Sequence, residues 1–401
     1  MILSIVIPAY NEEEAIENIC RQTLDAREAI IRETPVDEVE IIVVSDGSSD
    51  RTAERTRQFD EIRLIAYKKN RGYGAAIKTG FEASRGHLIS FLDADGTCNP
   101  LFFVDLVNLL EENKADIALG SRMGADSEMP KSRKVGNIFF RTLIRIISHK
   151  PIQDAASGMR VIRKSSLEKL YPLPSGLHFT PAMSCRAALD NDITIVEKPM
   201  KYKERIGPSK LGIIRDGLRF FRVIVEVALT YKPFSFFGYL ATLCILLALG
   251  YGTYPITFYL QNGFIEDWMI YRIVFITVMC TVGFNLYIIG MITSRLTSFQ
   301  NPYKNPRCNY LMEIMEKIVF RKPIITAFIC FTGAVLLNVK TIYEYVSRGT
   351  IDVHWVFIIT GAWLVLLSSQ FASFAVFDRT VKLLQEQRDF LDAYKSKKSV
   401  L

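Results

Sequence analysis

Two carboxylates one residue apart, Asp93 and Asp95, follow a short apolar run from Leu88 to Leu92 and precede Asn99-Pro100. Alternate residues of an extended strand project to the same side, so the two acids can converge as the strand ends. Hard oxygen donors in this number suit Mg²⁺ or Mn²⁺, which take one or two protein carboxylates and complete their shell with phosphate oxygens and water. An Asp-x-Asp before glycine is also ordinary turn chemistry. The meaning of the pair therefore rests on its neighbours.

The elements that must position the pair are legible as alternating strands and helices. Residues 2–7 form an apolar run ending in Pro8-Ala9-Tyr10-Asn11-Glu12-Glu13, and residues 39–44 form another ending in Ser45-Asp46-Gly47-Ser48-Ser49-Asp50. A third run, Ile62 to Ala66, leads to Asn70-Arg71-Gly72-Tyr73-Gly74, and a helix-compatible segment follows each strand. This alternation predicts an α/β fold with a parallel sheet, helices on both faces and ligands beyond the carboxyl ends of the strands. Three polar motifs and the Asp pair fall at such ends. A dinucleotide-binding loop at Gly72-Tyr73-Gly74 fails on spacing, because no third glycine follows at the required offset and the motif comes third instead of first. No Walker-type phosphate loop is present.

Taken in order, Val6-Ile7-Pro8-Ala9-Tyr10-Asn11-Glu12, Asp46-Gly47-Ser48-Ser49-Asp50, Asn70-Arg71-Gly72-Tyr73-Gly74-Ala75-Ala76, Asp93-Ala94-Asp95 and Gly120-Ser121-Arg122 resemble a family 2 glycosyltransferase. The resemblance implies the Rossmann-like nucleotide-sugar fold called GT-A. It also implies that Pro8, Tyr10, Glu12 and Asp46 hold the nucleoside, and that Ala9, Asn70, Arg71, Gly74, Lys78 and Ala94 belong to the same donor site. Asp95 and Asp93 would bind Mg²⁺ or Mn²⁺ on the diphosphate. The family often has two acids before Gly47, and here the first is Ser45.

A second resemblance concerns the acceptor. Asp154-Ala155-Ala156-Ser157-Gly158-Met159-Arg160, followed by Arg205-Ile206-Gly207-Pro208-Ser209-Lys210-Leu211, resembles polyprenyl-phosphate glycosyltransferases, the dolichyl-phosphate mannose synthases among them. This implies catalytic roles for Arg122, Asp154, Arg160, Arg205, Ser209 and Lys210 beside Asp95, with the Arg205 motif closing the site near the membrane. A lipid phosphate and a sugar diphosphate bring several negative charges together, which guanidinium groups can offset bidentately. The implied reaction moves one sugar from a UDP- or GDP-sugar to a polyprenyl phosphate with inversion, through an oxocarbenium-like transition state. The metal would neutralise the leaving diphosphate. A lipid phosphate is ionised near neutral pH, so Asp154 is expected to orient the site, with a base role left open. One competing reading is a processive polysaccharide synthase, but its Gln-x-x-Arg-Trp motif is missing: Trp268, Trp355 and Trp363 all lack a preceding Arg. The other is a non-catalytic nucleotide-binding membrane protein, against which the intact Asp93, Asp95, Arg122, Arg205 and Lys210 argue.

Composition divides the chain. Residues 1–211 read as the catalytic domain and 212–232 as a juxtamembrane amphipathic helix, in which Arg215, Arg219 and Arg222 interleave with apolar residues. Residues 233–377 read as a membrane domain, with spans near 234–260, 268–292, 323–346 and 353–377, and 378–401 as a basic tail. Each span approaches or exceeds the roughly 20 residues that cross a bilayer, although Lys340 and Glu344 interrupt the end of the third and must snorkel or pair. The stretch 293–322 carries Arg295, Lys304, Arg307, Lys317, Arg321 and Lys322, and the tail carries Arg379, Lys382, Arg388, Lys395, Lys397 and Lys398. Of Lys and Arg, the connections 261–267 and 347–352 hold only Arg348. The positive-inside rule then predicts a multi-pass protein of the cell membrane with the catalytic domain and tail in the cytoplasm. No signal peptide is expected, since the first apolar run is short and ends in Pro8.

Seven scattered cysteines without a Cys-x-x-Cys pair read as reduced thiols, and four dispersed histidines make a zinc site unexpected. The net charge of +7 suits an anionic leaflet better than nucleic acid, since no basic patch is interleaved with aromatics. The expected partners are a nucleotide-sugar donor, a polyprenyl-phosphate acceptor and the lipid bilayer, with no nucleic acid; a homo-oligomer is compatible with them.

Overall fold

The computed structural model describes residues 1–124, 127–148, 150–203, 212–300 and 313–398. The chain divides into two compact units, Met1–Ala228 and Leu229–Leu401.

In the first unit, β1 (Ile2–Ala9), β2 (Glu38–Ser45), β3 (Ile62–Ala66), β4 (Leu88–Phe91), β5 (Ile117–Ser121), β6 (Arg160–Arg163) and β7 (Ile195–Pro199) form one seven-stranded sheet. Their order is β3-β2-β1-β4-β6-β5-β7. The helices are α1 (Ile16–Glu33), α2 (Thr52–Thr56), α3 (Tyr73–Ala83), α4 (Phe102–Glu112), α5 (Lys131–Ser148), α6 (Lys164–Leu170), α7 (Phe179–Leu189) and α8 (Ile213–Tyr231). Beyond their first residues β1 and β2 are wholly buried, the pattern of strands covered on both faces. Leu3, Ile5 and Ile7 pack with Ile16, Ile19 and Ile30 of α1 and with Phe103, Leu106 and Leu110 of α4. Each such side chain contributes about 1.5–3 kcal/mol by leaving water.

The sheet is mixed where the alternation predicted a parallel one. β6 runs antiparallel to both β4 and β5, because the chain enters it from the end at which those two strands leave. The result is the GT-A arrangement implied by the resemblance. It also brings Asp154–Met159, which precede β6, to the carboxyl end of β4 where Asp93 and Asp95 stand.

The second unit contains α9 (Pro233–Asn262), α10 (Ile270–Gln300), α11 (Pro323–Arg348) and α12 (Trp355–Lys398), with a 3₁₀ turn at Asp267–Met269 and a π-helical turn at Met315–Val319. All four helices are long and apolar enough to cross a membrane. Proline opens α9 and α11, where its missing N–H costs nothing. The packing pairs are α9 with α10, α11 with α12, and α10 with α12. Their core is aromatic: the Phe320 and Phe374 rings lie 4.6 Å apart and those of Phe284 and Phe371 5.0 Å. At one end the Trp355 indole N–H donates to Asp267 (2.9 Å), and His354 contacts the Ile265 carbonyl (3.2 Å). At the other end Arg295 pairs with Glu316 and Asp378, and Lys382 with Asp378 (2.9 Å).

Candidate functional site

The loops leaving β1 and β2 are stapled to each other. The Asn11 N–H donates to Ser48 Oγ (3.1 Å), and Asn11 Oδ1 accepts from the Ser49 N–H (2.8 Å). The Glu12 N–H donates to Thr52 Oγ1 (2.9 Å) and the Glu13 N–H to Asp50 Oδ2 (3.1 Å). Burial works against the Asp50 carboxylate, but hydrogen bonds from Thr52 and the Glu13 N–H hold its pKa below the usual value. Pro8 and Ala9 are buried, Glu12 is half-buried, and the Tyr10 ring is exposed on the rim.

Asp46 fastens β2 to the start of α3. Its Oδ1 accepts from the Arg71 N–H (2.7 Å) and its Oδ2 from the Gly72 N–H (2.9 Å). Gly72 has φ +103°, a conformation that side chains resist. Both oxygens of this buried acid are therefore engaged with backbone. Asn70 and Arg71 are exposed, and the Arg71 guanidinium lies 4.5 Å over the Tyr67 ring. Gly74 is buried, and the Lys78 ammonium donates to the Leu173 carbonyl and Ser175 Oγ, both at 3.0 Å, tying α3 to that segment.

Asp93 and Asp95 are half-buried at the end of β4, with Ala94 buried between them. Asp93 Oδ1 accepts from the Tyr73 hydroxyl (2.7 Å), and Asp95 Oδ1 accepts from Thr97 Oγ1 (2.7 Å) and the Thr97 N–H (3.2 Å). A Cβ at Gly158 would lie 2.1 Å from Asp93 Oδ2, so this carboxylate occupies the space that a side chain would take. Both acids act electrostatically on the same neighbours. Burial and then the Asp93 charge push the Tyr73 phenol well up, with Asp95 adding to it. Burial and the same two charges push the Cys98 thiol up to about 12. Among the described residues no group of three or more His, Cys, Asp or Glu side chains is placed to hold a metal ion. The donor set at β4 is thus two carboxylates beside an open strand end. It fits a cation that shares its shell with phosphate and water, and Asp93 and Asp95 would hold it.

Arg122, just past β5, and Asp154 form a buried, bidentate ion pair. Arg122 Nε donates to Asp154 Oδ2 (2.7 Å) and Nη2 to Oδ1 (2.8 Å), while the Arg122 backbone N–H reaches Oδ2 (3.0 Å). Asn137 of α5 donates to Oδ1 (2.7 Å), as does the Ala156 N–H (3.1 Å). Burial alone would raise the Asp154 carboxyl, but the Arg122 charge and these donors hold it below the ordinary range. Burial likewise acts to lower Arg122, and Asp154 overrides it, holding the guanidinium above its usual value. Asp154 is 0% exposed, with both oxygens occupied. Asp154 joins β5, α5 and the segment leading into β6.

Arg160 points into the domain. Expected among the catalytic residues, it is 0% exposed, with Nη2 donating to the Ser157 carbonyl (2.6 Å) and Nη1 to Ser184 Oγ (3.2 Å). Its guanidinium lies 5.4 Å over the Phe91 ring, and burial depresses its pKa to about 10, with Tyr73 and Asp154 opposing. It supports the end of β4 from within the domain. Arg205, Ser209 and Lys210 lie outside the described residues.

Several participants escaped the sequence reading. Tyr73, which holds Asp93, sits in a motif read for its glycines. Asn137 sits on the buried side of α5, where an amide inside an amphipathic helix was the available signal. The Tyr202 ring lies under Arg122 at 5.5 Å. Glu197, partly buried, accepts the Gln153 N–H on both oxygens (3.0 and 2.9 Å), and burial lifts its carboxyl to about 7.

Comparison with known proteins places these motifs. Residues 4–171 match glycosyl transferase family 2. Over 57% of its length the chain is 33% identical to the dolichyl-phosphate beta-glucosyltransferase ALG5C of Trichomonas vaginalis, covering 71% of that protein. It is 30% identical to the dolichyl-phosphate hexose transferase of Haloferax volcanii, covering 57% of this chain and 94% of that one. It is 31% identical over 62% of its length to the low-salt glycan biosynthesis hexosyltransferase Agl6 of the same organism, of which it spans only 58%. Among solved structures, glucosyl-3-phosphoglycerate synthase from Mycobacterium tuberculosis in complex with Mn²⁺, UDP and glucosyl-3-phosphoglycerate matches with a TM-score of 0.43 at 21% identity, covering 57% of this chain and 79% of that one.

Proposed function

The chain belongs to glycosyl transferase family 2, and from that premise we propose that it moves one sugar from a UDP- or GDP-sugar to a polyprenyl phosphate at the cytoplasmic face of the cell membrane. The observation that carries the reading is the pair Asp93 and Asp95 at the end of β4, opposite Gly158 and beside the closed Arg122–Asp154 pair. A divalent cation bound there supplies charge neutralisation for the leaving diphosphate. The residues of the chain do the rest. Tyr73 and Thr97 orient the two acids, Arg122 and Asp154 fix the strand ends around them, and the loops after β1 and β2 bind the nucleoside. An ionised oxygen of the lipid phosphate forms the bond to the anomeric carbon as the bond to the diphosphate oxygen breaks, with inversion. Arg205, Ser209 and Lys210 meet the acceptor phosphate.

The lipid acceptor is supported by the names of the relatives and by a surface of the first unit. Val135, Ile138 and Phe139 of α5 and Leu218 and Phe221 of α8 are exposed, among Arg133, Lys134, Arg141, Arg215 and Arg222. The helices pack together through Phe139 against Phe221 (6.4 Å) and Phe140 against Phe220 (5.8 Å). Apolar rings flanked by long cationic side chains suit the headgroup layer. The juxtamembrane role expected of α8 alone thus extends to α5.

The test offers purified enzyme a panel of radiolabelled UDP- and GDP-sugars with a short polyprenyl phosphate. One of them should give a lipid bearing a single sugar, extractable into organic solvent, and Asp95→Asn or EDTA should abolish it. A water-soluble or elongated glycan formed without any polyprenyl phosphate, or full activity in EDTA without divalent ions, would overturn the reading.

A further inference from the structure

At the Arg295 end of the second unit, α10, the Met315–Val319 turn, the start of α11 and α12 line an open cavity of about 590 Å³. Its walls include four cations, Arg295, Lys317, Arg321 and Lys382, against two anions, Glu316 and Asp378. The anions are already used, since both pair with Arg295 and Asp378 also takes Lys382. Arg321 has no ion pair to a described residue, and Lys317 is largely exposed, reaching only Glu313 at 3.6 Å. Pro323 also lines the cavity and begins α11, so the positive end of that helix opens into it. The cavity therefore has a net positive wall with cations to spare.

Its depth follows from helix length. The contacts of Trp355 with Asp267 and of His354 with Ile265 mark the opposite end of the unit. From Ile270 to Arg295 along α10, and from Trp355 to Asp378 along α12, a rise of about 1.5 Å per residue gives roughly 38 and 35 Å. Both lengths exceed the roughly 30 Å hydrocarbon layer, which puts the charges at headgroup level. The floor is apolar, with Phe320 stacked among Phe284, Phe371 and Phe374.

We propose that this cavity binds the phosphate of an anionic membrane lipid, with the acyl chains lying along the exposed apolar flanks of α11 and α12. Basic pockets between membrane helices recognise headgroups in this way. The proposal needs only that the four helices cross the bilayer, and it is independent of the transfer reaction.

The full chain in neutral detergent is titrated with phosphatidylglycerol, phosphatidylcholine or inorganic phosphate, following the thermal midpoint and lipid adducts by native mass spectrometry. Phosphatidylglycerol should raise the midpoint and remain bound, while the other two should not. The double variant Lys317→Gln/Arg321→Gln should bind it at least roughly ten-fold more weakly, the scale of one lost charge-assisted contact. Arg348→Gln, at the other end of α11, should bind it like wild type. An equal effect of phosphatidylcholine, an equal effect of inorganic phosphate, or undiminished binding by the double variant would each overturn the proposal. If the double variant fails to fold, competition between the two lipids for adducts on the wild-type chain decides by itself.

Discussion

Gly158→Ala tests the proposed metal site without replacing a charged group. The backbone at 158 lies outside the left-handed region, so alanine adds only volume. That volume meets Asp93: the new Cβ would stand 2.1 Å from Oδ2 and 2.8 Å from the carboxyl carbon, whereas real contacts of this kind stay beyond 3.0 Å. The oxygen must therefore retreat by at least the difference between 2.1 and 3.0 Å, about 0.9 Å. Metal–oxygen distances tolerate only about 0.2 Å of error, and a misplacement near 1 Å costs about 100-fold in rate. The moving atom is the tip of a side chain, so the cost to the fold should sit near the lower end of the 1–3 kcal/mol typical of overpacking. Initial rates measured over a Mn²⁺ titration should show kcat/KM lower by about two orders of magnitude and the Mn²⁺ requirement displaced upward. Electron paramagnetic resonance of bound Mn²⁺ should report weaker binding even without substrate turnover. A folded Gly158→Ala enzyme with the wild-type rate and Mn²⁺ curve would refute the placement of Asp93 in the site.

Asp154→Asn leaves Arg122 without its buried counter-charge and should cost about 3–5 kcal/mol, read as a lower thermal midpoint; an unchanged midpoint would contradict the clasp. Glu197 binds its proton more tightly folded than unfolded, with a carboxyl raised from 4.5 to about 7. Its contribution to stability is therefore complete below pH 4.5 and is lost as pH rises through 7. Glu197→Gln should flatten the fall of the thermal midpoint across that window, and an unaltered pH profile would show that burial does not perturb this acid. For topology, a cysteine introduced at Asn262 should label from outside intact cells while a tag after Leu401 should not, and a tag accessible from outside would refute the cytoplasmic tail.

The strands were readable because β1 and β2, buried on both faces, are apolar runs interrupted inside only by Ser4 and Glu40, which bond to each other, and their polar motifs fall where those runs stop. The direction of β6 was not readable. It is four residues long, begins with Arg160 and ends with Arg163, and strand direction is decided by where the chain enters the sheet. The inward turn of Arg160 depends on Ser184, 24 positions away, and the employment of Asp46 depends on backbone N–H groups 25 and 26 positions away. Motif position predicted proximity to the site in both cases, yet it carried no information on which way a side chain points. Tyr73 was hidden for the converse reason, since its partner Asp93 belongs to another motif. In the helical unit, length and composition were enough to mark the four helices, while the charged cavity needed Arg295 and Asp378 to meet across 83 positions of sequence.

The Arg122–Asp154 clasp makes α5 a detachable handle. Because the two ends of the excursion are fastened to each other where they leave the sheet, its exposed positions can be lengthened or exchanged around the buried Ile144, Ile147 and Ile152, which seat α5 on the domain. Chain entropy opposes such changes only weakly, by about 0.6 kcal/mol for each doubling of a flexible loop. Grafting the exposed face of this excursion from one relative onto another, with Arg122, Asn137, Asp154 and the buried isoleucines retained, would test whether the surface of α5 and the site at β4 are separable parts.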